Sequence, residues 1–310
     1  MANIERQTVI TDEDITNYKI VARNIGRKFL IKRVGENRQE FTAVENLNLK
    51  IKKGEFVTIV GPSGCGKSTF LDILAGVSAP TQGEIYIDGH QVTGPALDRG
   101  IVLQGYALFP WRTARQNIEY GLEIKHVNKK DRKIISDKFI DLVELNGFED
   151  RYPYELSGGM KQRVAIARAL AYDPEVLLMD EPFAAVDAQT REVLQDELLK
   201  IWEKTDKTIV FVTHSIEEAV FLADRVAVMS TNPGRIKAII DVNLPRPRRT
   251  GNTRTSMDFR WLTGEVWKLL HDGEKQTSDE DLTASDGKGE KHEDAGIYEA
   301  ARANLDSAQL

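Results

Sequence analysis

The chain has 310 residues, 41% of them apolar, with 42 Lys and Arg against 48 Asp and Glu and a single cysteine. That length allows one large domain or two modest ones with a real hydrophobic core, while its longest apolar runs, such as 209–212 and 176–179, fall far short of the roughly 20 residues of a membrane-spanning helix. Cys65 alone excludes an intrachain disulfide and fits a reducing compartment, and a net charge of −6 argues against general nucleic-acid binding.

The first residues, Met1 to Arg6, lack the apolar stretch and cleavage site of a secretory signal, so export is not expected. Residues 1–17 are expected to form a flexible, frayed N-terminus. Two alternating segments, 18–30 and 41–51, predict antiparallel strands joined by an exposed charged loop over 32–40. The β-branched run 56–60 predicts a buried strand ending in glycines, and 101–103, 176–179, 209–212 and 226–229 have the same character. Between about 106 and 160 the chain is polar and helix-rich, which predicts an inserted α-helical subdomain. Alternation of buried strands with helical patterns predicts an α/β fold with a parallel sheet and crossover helices. Pro245-Arg246-Pro247-Arg248-Arg249 reads as a stiff basic linker. Beyond it, Phe259, Leu262, Val266, Leu269 and Leu270 recur at helical spacing, predicting an amphipathic helix within 246–272 that packs on the body or docks on a partner or membrane surface. Residues 273–310 contain ten acidic and four basic side chains, which accounts for the entire net charge. Few apolar groups occur there, so an acidic, mostly disordered tail is expected.

Gly61-Pro62-Ser63-Gly64-Cys65-Gly66-Lys67-Ser68 fits G-x-x-x-x-G-K-[ST] and lies between a buried strand and the helical pattern opened by Thr69. Four such fixed positions arise by chance in a chain this long about 1% of the time, taking Gly at about 7% usage. Glycines let the backbone curl so that its N–H groups and the helix N-terminus surround a phosphate. Lys67 would reach the β/γ-phosphates, and the Ser68 hydroxyl would ligate Mg²⁺. Cys65 occupies a variable position of the loop, where a small permissive residue and a redox-regulated thiol are both readings. Farther on, an apolar run delivers Asp180 and Glu181 to a strand end, where open parallel sheets bind ligands. Asp180 could hold Mg²⁺, and Glu181 could take a proton from water attacking the γ-phosphate. Ser157 reads as an N-cap, and Gly158 and Gly159 would expose backbone N–H groups to an anion at a second helix start. Two such ends need not meet on one nucleotide within a chain, but two chains arranged head to tail could bring them together. His214 follows the strand 209–212 and would emerge at the same sheet edge as Asp180.

With these motifs, residues 18–245 resemble the ATPase subunit of ATP-binding-cassette (ABC) transporters, and Leu156 to Gln162 resembles the family signature with Met160 where many members carry Gln. The resemblance implies a P-loop NTPase with a RecA-like core, an antiparallel β subdomain and the helical insertion. It implies that Phe29 stacks on the adenine of ATP and that Gly61, Pro62, Ser63, Gly64, Cys65, Gly66, Lys67, Ser68 and Thr69 cradle its phosphates. Gln104 would reach Mg²⁺ and the attacking water, and His214 the γ-phosphate. Ser157, Gly158 and Gly159 would complete the site of the opposite subunit, with residues 184–187 at the dimer contact. Catalysis would then rest on Glu181, His214, Gln104 and Lys67, and the metal on Ser68, Gln104 and Asp180.

The stretch Leu108-Phe109-Pro110-Trp111, with Gln104 and Tyr106, resembles the surface through which such ATPases contact a membrane subunit. Simple packing of Phe109 and Trp111 within the insertion is the alternative. Together with the 157–160 and 183–191 sequences, it resembles importers of nitrate, sulfonates, taurine or bicarbonate, although Gly105 and Val186 depart from common family residues. The implied assembly is a homodimer or closely related heterodimer, peripheral on the cytoplasmic face of the inner membrane, with permease subunits and indirectly a solute-binding protein, and no nucleic acid. The alternatives are an importer of a different solute or a non-transport ABC ATPase. Soluble relatives of the latter kind usually carry two cassettes or a long coiled-coil insertion, and this sequence has neither.

Overall fold

The computed structural model describes residues 3–5, 9–31, 39–205, 207–249 and 252–272. The sites discussed below lie in the first of two compact units, Met1–Leu270. The acidic tail and most of the expected 32–40 loop fall outside the described residues.

In chain order the elements are β1 (Ile4–Glu5), α1 (Asp12–Asn17), β2 (Ile20–Ile31), β3 (Gln39–Ile51), β4 (Phe56–Val60), α2 (Lys67–Ala75), β5 (Gln82–Ile87), β6 (His90–Gln91), β7 (Arg99–Val102), α3 (Ala114–Ile124), α4 (Lys129–Leu142), α5 (Gly158–Ala171), β8 (Val176–Asp180), α6 (Ala188–Thr205), β9 (Thr208–Thr213), α7 (Ile216–Leu222), β10 (Arg225–Ser230), β11 (Arg235–Asp241) and α8 (Met257–His271). Strand β4 is buried at every position, as a strand covered on both faces must be. It lies inside a seven-stranded sheet of order β1-β11-β10-β4-β9-β8-β7. Strands β10, β4, β9, β8 and β7 are parallel, with β11 and β1 antiparallel at one edge. The two-residue period of β4 divides the core. Phe56 and Val60 join Val164, Leu198, Phe221 and Val266 on one face, whereas Val57 and Ile59 join Phe70 and Leu74 of α2 and Ile25 and Leu47 of the smaller sheet. That smaller sheet is antiparallel in the order β3-β2-β5-β6.

Strands β5, β6 and β11 are additions to the expected set. Their polar-containing segments acquire strand structure by pairing, β5 onto β2, β6 onto β5 and β11 onto β10, rather than from a run of β-branched residues. Only helices connect β7 to β8, and α3 and α4 both pack on α5. The expected end of the insertion near residue 160 therefore falls within a continuous helix, α5.

Two expectations are corrected. The N-terminal stretch expected to fray carries α1, whose Thr11 and Asp14 form a reciprocal capping box, with Asp12, Glu13 and Asp14 in the positively polarised first turn. Ile4 and Glu5 pair with β11. The basic stretch after Leu244, expected to be a stiff linker, is instead packed onto the body. Arg248 is 2% exposed, and its guanidinium donates to the carbonyls of Val220, Phe221, Ala223 and Val242. Five donors in a planar fork suit the unsatisfied carbonyls at the end of α7. Burial and the neighbouring Arg246 push its pKa down to about 9, which leaves it charged at neutral pH. Replacing Arg248 by Met should strand these carbonyls and cost about 2–4 kcal/mol. Thermal melting should register this as a drop of about 5–10 °C for a domain of this size, and an unchanged midpoint would exclude the capping role.

Helix α8 buries Phe259, Leu262, Val266 and Leu269 against the main core. At about 1.5–3 kcal/mol per buried apolar side chain, that face is committed to the body, which decides between the two readings of the amphipathic stripe.

Candidate active site

Four parallel strands deliver the motif residues to one edge of the sheet. Val60 pairs with Thr213, Asp180 with Val212, and Val102 with Met179. Gly61, His214, Glu181 and the Leu103-Gln104 turn therefore leave the same carboxyl ends of adjoining strands, the place where open parallel sheets hold ligands.

The 61–68 loop is shaped by what it excludes. Gly66 has φ +94°, and a Cβ there would meet Val44 Cγ2 at 2.8 Å and the Ala43 carbonyl at 2.9 Å. Helix α2 begins with no side-chain cap at Gly66, so no cap side chain competes with an anion for its first amides. Lys67 is 5% exposed, and its Nζ donates to the carbonyls of Gly61 (2.9 Å) and Pro62 (3.0 Å). Ser68 Oγ donates to Asp180 Oδ1 at 3.1 Å, across 112 residues of sequence. Cys65 is fully buried. Burial pushes its thiol pKa up, against the opposing pull of Lys67, which disfavours a reactive thiolate.

Glu181 follows β8 in the left-handed region (φ +42°), a conformation costing on the order of 1–3 kcal/mol for a non-glycine residue. Its N–H donates to Val212 O at 3.0 Å, and its Oε2 lies 3.3 Å from His214 Nδ1. The His214 side chain is 62% exposed and that of Glu181 20% exposed, so the pair opens to solvent. Gln104 is exposed at the end of β7, followed by Gly105, Tyr106 and Ala107, all with positive φ. Arg168 of α5 clamps this turn by donating to the Ala107 carbonyl (2.6 Å) and the Tyr106 carbonyl (3.1 Å).

The serine-glycine start of α5 has different neighbours. Ser157 Oγ accepts from Met160 N at 3.3 Å, the expected N-cap. A Cβ on Gly158 would lie 3.2 Å from the Tyr106 hydroxyl, and one on Gly159 would lie 2.8 Å from Thr190 Cγ2. A Cβ on either glycine would meet no atom of the 61–69 loop among its nearest neighbours. Asp187 caps α6 by accepting from Thr190 N at 3.0 Å, and Val186 is buried. Phe29 sits opposite Phe41 on β2, is 37% exposed and carries the Arg27 guanidinium 4.8 Å above its ring.

The 61–68 loop, Asp180 with Glu181, and the separate serine-glycine helix start all lie in a stretch that this chain shares with known proteins. An uncharacterized ABC transporter ATP-binding protein of Methanocaldococcus jannaschii is 50% identical over 269 residues, which cover 87% of this chain and 97% of that relative. This chain belongs to the ABC transporter ATP-binding proteins. The family model described as ABC transporter matches residues 44–184, a span that includes the 61–69 loop, Gln104, the α5 start and both carboxylates. Among other ABC relatives, the nitrate import ATP-binding protein NrtD of Synechocystis sp. is 47% identical, covering 78% of this chain and 93% of its own length. The aliphatic sulfonates import ATP-binding protein SsuB of Bacillus cereus is 48% identical, covering 74% and 89%. A solved ATP-binding cassette, described as a dimeric post-hydrolysis state bound to ADP and Pi, superposes with a TM-score of 0.64 at 35% identity over 73% of this chain and 100% of that one.

One residue beside the 61–68 loop lies outside every motif. Gly234 joins the loop to β3: its N–H donates to Ala43 O at 3.0 Å, its carbonyl accepts from Glu45 N at 3.0 Å, and a Cβ on it would lie 2.0 Å from the Cys65 carbonyl. The Asn232-Pro233-Gly234 triplet signals a turn, but nothing local shows that the turn supports the loop. Gly234→Ala must displace the Cys65 backbone, and the KM for ATP is expected to rise about tenfold or more, the scale on which ångström misplacements act. ATP titration of the variant checks this, and an unchanged KM would remove Gly234 from the site.

Proposed function

We propose that this ABC ATPase hydrolyses ATP at the composite edge described above and thereby powers import of a small anion of the nitrate, sulfonate, taurine or bicarbonate class. The observation that carries the reading is the meeting of Lys67, Ser68, Asp180, Glu181 and His214 at neighbouring strand ends. Amides of residues 61–69 would hold the phosphates, with Lys67 exchanging its bonds to Gly61 and Pro62 for the β/γ-phosphate oxygens. Glu181, hydrogen-bonded to His214, would orient and deprotonate the attacking water, and His214 would contact the γ-phosphate. Phe29 would stack on adenine.

The Ser68 hydroxyl and Asp180 carboxylate, 3.1 Å apart, are hard oxygen donors of the kind Mg²⁺ takes. No cluster of three or more His, Cys, Asp or Glu side chains able to hold a metal occurs among the described residues, which suits an ion that keeps water and phosphate ligands. Ser68, Asp180 and Gln104 would hold Mg²⁺, which neutralises developing phosphate charge when bound.

Ser157, Gly158 and Gly159 would serve the nucleotide of a second copy, because their own neighbours are Tyr106, Ala185 and Thr190. Two ATP molecules would then be clamped between two head-to-tail subunits, with Ala184 to Asp187 at the contact. Closure and reopening would move permease subunits docked near Tyr106, Leu108, Phe109, Pro110 and Trp111, where Trp111 is 71% exposed. No helix among the described residues is long and apolar enough to cross a membrane, so attachment to the cytoplasmic face of the inner membrane would come through those partners, and solute capture through a separate binding protein. The reading is tested by purifying the chain with its membrane partners, reconstituting the complex in vesicles and measuring ATP turnover against nitrate, alkyl sulfonate, taurine and bicarbonate. One of these is expected to raise turnover. Stimulation by a sugar or cation alone would overturn the anion assignment.

A further inference from the structure

The turn bearing His214 is held from an unexpected direction. Thr213 Oγ1 accepts from Ser215 N at 3.0 Å and donates to Glu218 Oε2, while Ser215 Oγ accepts from Glu218 N at 3.3 Å. Glu218 thus grips both residues flanking the histidine. Its other oxygen, Oε1, accepts from Gln195 Nε2 of α6 at 2.8 Å, and Gln195 Oε1 accepts from the Arg254 guanidinium at 2.6 Å. Arg254 lies in the C-terminal segment, just before α8, and its guanidinium stands 3.6 Å from the centre of the Phe221 ring on α7. Arg248 of the same segment caps the far end of α7.

Thr213, Gln195 and Glu218 are 2%, 3% and 5% exposed. Burial pushes the Glu218 carboxyl above its ordinary range, although the Thr213 and Gln195 donors pull the other way. A buried carboxylate adds no packing that an apolar residue of like size would not supply more cheaply. What it does supply is directional, because one of its oxygens is bonded to the Thr213 hydroxyl beside His214 and the other to Gln195, which leads to Arg254.

We propose that Arg254, Gln195, Glu218 and Thr213 form a positioning relay through which the C-terminal segment 246–272 holds His214 against Glu181, so that seating of this segment sets the rate of ATP hydrolysis. The proposal rests on the role given to His214 above. None of the relay residues touches the reacting atoms; they act through the orientation of the imidazole, and their loss should lower kcat with little change in the KM for ATP.

The test uses the full-length chain and Mg²⁺-ATP. Glu218→Gln alone must set two amide donors face to face, turn the Gln195 amide nitrogen toward Arg254, or aim its own amide nitrogen at Thr213 Oγ1 and leave that hydroxyl proton without an acceptor, and Gln195→Glu alone sets two carboxylates side by side. The double exchange, Gln195→Glu with Glu218→Gln, restores every bond: the carboxylate introduced on α6 accepts from Arg254 and from the amide introduced on α7, whose oxygen accepts from Thr213. Each single variant is expected to lose about tenfold in kcat with KM within about twofold, and the exchange to recover most of the loss. Arg254→Met, at a partly exposed position, leaves the buried members in place and is expected to lower kcat by about three- to tenfold. In a His214→Ala background, Arg254→Met should cost nothing further. A His214→Ala variant with normal turnover would refute the role of the histidine itself. With that variant impaired, unchanged kcat in Arg254→Met, or a full additional loss in the double variant, would overturn the relay. Should either single variant at 195 or 218 fail to fold, Arg254→Met and its double variant still decide the matter.

Discussion

Glu181→Gln is expected to lower kcat by about 10²–10⁴, the usual contribution of a positioned general base, while leaving ATP bound. The substitution keeps the shape of the side chain and the capacity of its oxygen to meet His214, 3.3 Å away in the native pair. Proton acceptance from water is the property removed. The strained backbone at Glu181, φ +42°, and its amide bond to Val212 do not depend on the carboxylate charge, so the geometry of the edge should survive. Because nucleotide stays in place, the serine-glycine face of one copy keeps its ligand in the other, and the protein should elute as an ATP-dependent dimer. Phosphate release and size-exclusion chromatography with ATP check both parts. Normal turnover would end the assignment of Glu181 as base, and a strictly monomeric ATP-loaded protein, even beside its membrane complex, would end the head-to-tail site.

Lys67→Ala is expected to abolish hydrolysis for a different reason. Native Lys67 is buried inside the loop with its Nζ on the carbonyls of Gly61 and Pro62, bonds that the proposed site would exchange for phosphate oxygens. Hydrogen bonds to charged groups contribute about 1.5–3 kcal/mol each, so ATP affinity should fall by roughly 10–150-fold. Loss of a donor to charge developing in the transition state should reduce turnover by a further ~10²–10³. The two variants are therefore separable: ATP affinity is expected to stay near the native value in Glu181→Gln and to fall in Lys67→Ala. Retained activity in Lys67→Ala would refute the phosphate-loop assignment, and a thermal melt near that of the native protein shows that the loss is local.

Much of this site could be read along the chain because each chemical group travels with a local backbone signal. The glycines of the 61–68 loop, the apolar run ending in Asp180 and Glu181, and the Ser157-Gly158-Gly159 helix start each carry their own punctuation. Phe29 lacks any such signal, and the fold places it under Arg27 rather than fixing its ligand. Gly234 and Glu218 were not legible at all. Gly234 matters because a distant carbonyl crowds it, and Glu218 because its partners lie on β9 and α6. The run Pro245 to Arg249 reads as a stiff basic linker, and nothing in it signals burial, because charges are seldom fully buried. The buried carbonyls at the end of α7, which have no partner within the helix, account for Arg248 being buried.

By itself the sequence determined which groups can do chemistry and on which element each one rides, since the loop spacing, strand runs and helix caps are local properties of a few consecutive residues. Tertiary structure decided which of those groups meet. Setting β9 between β4 and β8 is a choice among non-local pairings, made by burial on both sheet faces, and it brings Ser68 to Asp180 and Glu181 to His214. The same long-range packing folds the C-terminal segment onto α7, because a buried arginine or carboxylate is stable only where the rest of the chain supplies its partners.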